Sequence, residues 1–90
     1  MDETWPGSAD LFIDLDREAG PRRGIESALR QAIRAGRLHP DSALPSSRAL
    51  AADLGVARGT VSAAYSQLAA EGYLIARQGT ASRVAWVPPA

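Results

Sequence analysis

The sequence predicts a mainly helical α+β fold, with a three-helix core, a C-terminal β-hairpin and a short strand ahead of the first helix. Three observations lead there. Apolar residues recur at helical spacing in three stretches between about Arg22 and Ala70. Turn-forming residues separate those stretches, with Gly36 and Gly55 where helices would stop. Beyond Gly72 the pattern changes to two short β-prone runs around a glycine-containing loop.

In chain order, residues 1–10, with Pro6-Gly7-Ser8, read as a flexible acidic leader. Leu11, Ile13 and Leu15 alternate with Phe12 and Asp14, as on a short strand. From about Arg22 to Ala35, Ile25, Leu29, Ala32 and Ile33 share one helical face. Arg22, Arg23, Arg30 and Arg34 lie mostly off that face and read as a solvated surface. Leu38 to Pro45 carries too much turn chemistry for a helix and makes at most a short extended segment. Ser46 or Ser47 can cap a second helix that ends at Leu54, with Leu50, Ala51 and Leu54 inward. Gly55-Val56-Ala57 forms a turn in which Gly55 supplies a left-handed backbone and Val56 plugs the core. A third helix from Arg58 to about Ala70 directs Val61, Ala64, Tyr65 and Leu68 inward. Tyr73 to Ala76 and Arg83 to Val87 are the hairpin strands, joined by a polar loop over Arg77 to Ser82. Pro88-Pro89-Ala90 reads as the start of a linker, which bounds one domain over residues 11–87.

Composition narrows the function. Ninety residues, 46% of them hydrophobic, suffice for one small core. No apolar run is long enough to span a membrane, and Met1-Asp2-Glu3 is no signal-peptide start, so a cytoplasmic protein is expected. The chain has no cysteine and one histidine, His39, set in a turn. That leaves neither a thiolate metal site nor the usual general base, and the reading is of a non-enzyme. The net charge of zero is a cancellation. Residues 1–20 hold six acidic side chains against Arg17, and residues 21–90 hold nine arginines against four acids. A basic body of this kind suits a polyanion partner.

Two short helices separated by Leu54-Gly55-Val56-Ala57 and followed by a hairpin make a winged helix-turn-helix. In that arrangement the start of the second helix of the pair faces base edges in a major groove. Here it offers Arg58, Gly59, Thr60 and Ser62. An arginine can bond guanine through two N–H groups, hydroxyls reach bases or phosphates, and glycine lets the backbone come close.

These residues resemble a known family. Leu44-Pro45-Ser46-Ser47-Arg48-Ala49-Leu50-Ala51 and Leu54-Gly55-Val56-Ala57-Arg58-Gly59-Thr60-Val61 are similar to the helix-turn-helix signature of GntR transcription regulators. Ala64-Tyr65-Ser66-Gln67-Leu68, then Glu71-Gly72-Tyr73-Leu74, is closer to the MocR branch. The resemblance implies double-stranded operator DNA as partner. It places Arg48 on a phosphate, Arg58 on a base and Thr60 on either, with Arg77, Gln78 and Gly79 forming a wing tip at the minor groove. It also implies a homodimer in a longer regulator, although the isolated domain is expected to be a monomer or weak dimer. Pyridoxal phosphate would belong to a C-terminal domain that these residues do not include, and no cofactor is expected here. Two positions depart from the pattern. Ala57 replaces the usual Ser or Thr cap, and Arg22-Arg23-Gly24 replaces an apolar start to the first helix. The alternative function for such a fold is a protein–protein interaction module.

Overall fold

The computed structural model describes residues 20–75 and 82–85. They form α1 (Pro21–Arg34), α2 (Ser47–Leu54), α3 (Arg58–Ala70), β1 (Leu74–Ile75) and β2 (Arg83–Val84). The expected leader, the strand at Leu11–Leu15, residues 77–81 of the expected Arg77–Ser82 loop and the linker lie outside the described residues.

Helix α1 opens on Pro21, a position where the missing N–H costs nothing and the fixed φ already suits a helix. Ile25, Leu29, Ala32 and Ile33 are buried, as their spacing predicts. The buried face is wider than that stripe, because Gly24 and Glu26 are also covered. A carboxylate taken from water needs a charged partner, and Arg22 Nη1 meets Glu26 Oε2 at 2.6 Å, one helical turn away.

Helix α2 has only eight residues, too short to persist alone in water. Its ends and its buried Leu50 and Ala51 hold it. At the start, extended Ser46 accepts the Ala49 N–H on Oγ at 3.1 Å. At the end, Gly55 sits at φ 70°, and the Val56 N–H returns to the Ala51 carbonyl at 3.0 Å. A side chain would strain that left-handed position, so glycine stops α2 and turns the chain toward α3. Val56 is half-buried against the core, as the turn requires.

Helix α3 packs on both other helices through Val61, Ala64, Tyr65 and Leu68. Tyr65 is buried, as its spacing predicts, and its hydroxyl donates to the Pro45 carbonyl at 2.8 Å. Burial pushes the phenol pKa well above its ordinary value, since the phenolate would lose its hydration there. This bond ties the middle of α3 to the residue just before the α2 cap.

Strands β1 and β2 pair antiparallel, Leu74 opposite Val84 and Ile75 opposite Arg83. The segment before α2 adds a third extended piece. Ala43 bridges Arg83. Asp41 N–H reaches the Val84 carbonyl at 2.7 Å, Val84 N–H the Ser42 carbonyl at 3.0 Å, and Leu44 N–H the Ser82 carbonyl at 2.9 Å. Ser42 and Leu44 face inward from it. Leu38, Leu44, Leu74 and Val84 then complete the core beneath the helices.

Candidate nucleic-acid interface

The inward face of α3 fixes what its outer face can show. With Val61, Ala64, Tyr65 and Leu68 buried, Arg58, Gly59, Ser62, Ala63 and Ser66 are exposed and Thr60 is half-buried. The 13-residue helix is about 20 Å long. Its outward side starts with one long side chain, Arg58, followed by small ones at Gly59, Ser62, Ala63 and Ser66 before Gln67 in the last turn.

Gly59 is informative because the fold does not ask for it. A Cβ there would meet nothing within 4 Å, and its backbone is ordinarily helical. Inside a helix glycine costs about 0.5–1 kcal/mol relative to alanine. No internal contact explains that cost, whereas room for a partner lying against the helix would.

Electrostatics point the same way. The first turns of α2 and α3 contain no acidic residue. Each holds an exposed arginine instead, Arg48 in α2 and Arg58 in α3. The amino end of a helix carries partial positive charge, so an arginine there is mildly unfavourable in the free molecule and favourable beside an anion. The start of α3 is also open. Ala57 is extended, offers no side-chain cap, and accepts the Thr60 N–H on its carbonyl at 3.0 Å.

Arg48, Arg58, Gly59 and Ser62 are thus exposed at or near the starts of these two helices, with Thr60 partly covered. Arg77, Gln78 and Gly79 lie outside the described residues. The base of the hairpin that carries them is in place, tied to the core through Asp41 to Leu44.

One cluster was not expected. Arg30, assigned above to a solvated surface, crosses to Glu71 beyond the end of α3. Arg30 Nε and Nη2 lie 3.0 and 2.9 Å from Glu71 Oε1, and Nη2 is 3.1 Å from Oε2. Gln67 Nε2 donates to Glu71 Oε2 at 2.8 Å, and the Arg30 guanidinium lies 5.8 Å from the Tyr73 ring centroid. The bonds from Gln67 and Arg30 hold the Glu71 carboxyl below its ordinary pKa. A signal was present in the sequence. An acid at a helix carboxyl end is electrostatically misplaced unless something cationic meets it.

Among the described residues, no helix is long and apolar enough to cross a membrane. Residues 21–84 match the family described as "Bacterial regulatory proteins, gntR family". The chain is 44% identical over 79 residues to the probable rhizopine catabolism regulatory protein MocR of Rhizobium meliloti, covering 88% of this chain and 16% of that protein. It therefore spans about a sixth of that relative's length. Among solved structures it resembles YtrA of Sulfolobus acidocaldarius, a GntR-family transcription factor (TM-score 0.72, 32% identity, 84% of this chain and 83% of that one). It also resembles the AraR DNA-binding domain in complex with operator ORE1 (TM-score 0.68, 28% identity, 72% of this chain and 79% of that one).

Proposed function

The chain belongs to the gntR family of bacterial regulatory proteins, and from that premise we propose that it is the operator-reading domain of a MocR-like transcription regulator. The observation that carries the reading is the outward start of α3. There Arg58, an unforced Gly59 and Ser62 share an acid-free helix end. In this assignment α3 lies in the major groove of double-stranded DNA, with Arg58 on guanine and Thr60 and Ser62 on bases or adjoining phosphate. Arg48 grips the backbone from α2, and Arg77, Gln78 and Gly79 take the wing to the minor groove. The AraR DNA-binding domain, of similar fold and in complex with operator ORE1, supports the DNA-binding reading.

The proposal is for a cytoplasmic binding module and assigns no catalysis to this chain. The MocR likeness implies pyridoxal phosphate in the regulator. This sequence contains no lysine, the residue that holds that cofactor as a Schiff base. The cofactor and effector sensing are accordingly placed in the remainder of a longer regulator, together with the surface that makes it a homodimer. The test is a salt titration of the 90-residue chain on a duplex enriched from a random pool and on unselected DNA. Binding should weaken on a log–log plot by a slope on the order of 0.9 per phosphate neutralised, with the enriched duplex tighter throughout. Equal affinity for both duplexes at every salt concentration would refute the reading and favour a protein-interaction module.

A further inference from the structure

The Arg30–Glu71 cluster stands apart from the start of α3. Glu71 follows the last residue of a 13-residue helix, so it lies roughly 20 Å along the axis from Arg58. Its neighbours converge on the short turn where α3 hands the chain to the hairpin. Arg30 comes from α1, Gln67 from the last turn of α3, and Tyr73 from the residue before β1. Gly72 has φ 90°, and the Tyr73 N–H returns to the Leu68 carbonyl at 2.9 Å. The Tyr73 carbonyl in turn accepts the Ala85 N–H at 2.8 Å, which closes the root of the hairpin. A guanidinium that grips the turn therefore also contacts Tyr73, the residue just before β1.

We propose that Arg30 is a positioning residue for the wing, fixing with Glu71 the angle at which the hairpin leaves the recognition helix. This rests on the DNA-binding reading above. Strand β2 is held on its other side by residues 41–44, and β1 pairs with β2 and buries Leu74. At the root of β1 the Arg30 fork meets both carboxylate oxygens of Glu71 and lies over the ring of Tyr73, a side-chain anchor added to that pairing. Such a fork resists rotation in a way a single ammonium contact does not. Neither Arg30 nor Glu71 needs to touch DNA. Their substitution should alter how the wing meets the duplex and leave base reading by Arg58 in place.

The experiment uses the 90-residue chain and four variants: Arg30→Ala, Arg30→Lys, Glu71→Gln, and the exchange Arg30→Glu with Glu71→Arg. Amide hydrogen exchange without DNA is read at Ala85 and Tyr73, with Leu29 and Leu68 as core references. Affinity, hydroxyl-radical protection at the wing and guanine N7 protection are then read on the enriched duplex. The three single variants should speed exchange at Ala85 and Tyr73 several-fold over the core references. They should also weaken binding by roughly three- to thirty-fold and reduce wing protection, while guanine protection at saturation persists. The exchanged pair should recover part of each effect, and Arg30→Lys should not recover the fork. Unchanged exchange at Ala85 would overturn the clamp. Faster exchange with affinity within twofold of the parent would show a merely structural tie and overturn the positioning role. A parent chain that does not discriminate between duplexes would refute the DNA reading itself, and with it the clamp's role in DNA contact.

Discussion

Ala57→Ser should stabilise this domain, and the size of the gain follows from a comparison inside the molecule. Ser46 starts α2 at φ −62°, ψ 157°, and its Oγ accepts an amide at 3.1 Å. Ala57 starts α3 at φ −69°, ψ 144°, with no side-chain bond. The two backbones differ by less than the scatter within one conformation, so a serine at 57 would place its oxygen as Ser46 does. A full cap is worth about 0.5–2 kcal/mol. The gain here belongs in the lower part of that range, because the Thr60 N–H already turns to the Ala57 carbonyl at 3.0 Å and would only be shared. We predict about 0.5–1 kcal/mol, which for a domain of this size raises the thermal midpoint by roughly 2–8 °C. Removing the existing cap by Ser46→Ala should cost about 1 kcal/mol. Urea and thermal unfolding followed by circular dichroism measure both. A loss at Ser46→Ala without any gain at Ala57→Ser would refute the claim that the start of α3 is under-capped. A second consequence separates stability from function, because the new hydroxyl adds a donor beside the turn proposed to face DNA. Operator affinity should rise in the same variant.

Three further outcomes are expected. Tyr65→Phe removes the hydroxyl that satisfies the Pro45 carbonyl and should cost about 0.5–1.5 kcal/mol in urea unfolding. The raised Tyr65 pKa makes its contribution full below the ordinary value of 10.0 and progressively lost as pH rises through the higher folded-state value, so the parent should lose more stability on the alkaline side than the phenylalanine variant. Leu29→Ala empties a fully buried position between helices and should cost about 2–5 kcal/mol, seen as a large drop in the unfolding midpoint. Glu71 has a lowered pKa, so its contribution is present above the ordinary 4.5 and is lost as pH falls through the lower folded-state value. Stabilities of the parent and Glu71→Gln, measured by urea unfolding at stepped pH, should therefore converge below about pH 4.5.

What the sequence made legible was local. The core faces of α1 and α3 follow from apolar periodicity, and the α2 stop follows from one glycine. The Ser46 cap needed only residues three apart. What was hidden is non-local. Ser42-Ala43-Leu44 is too short, and too crowded by Pro40, Asp41 and Pro45, to show strand alternation, and its partners lie beyond Ala81. Arg30 reads as one more surface arginine until Glu71, 41 positions away, is brought beside it. The Tyr65 hydroxyl likewise finds a carbonyl 20 residues back. At the interface, residue type and helical phase sufficed to expect Arg58, Gly59 and Ser62 outward. They did not indicate that Thr60 would be partly covered, since it sits beside buried Val61 at the edge of the packed face.

The most direct test of the central claim is the discrimination between enriched and unselected duplex by Arg58→Ala, with Arg48→Ala measured beside it at one fixed salt concentration. A bidentate arginine–guanine contact is worth about 1–3 kcal/mol of base discrimination. Arg58→Ala should therefore lower the specificity ratio by roughly 5- to 150-fold and level the preference at one guanine. Arg48→Ala should weaken both duplexes alike and leave the ratio standing. An Arg58→Ala chain that kept the parent's ratio at every base position would contradict the assignment of α3 as the helix that reads the operator.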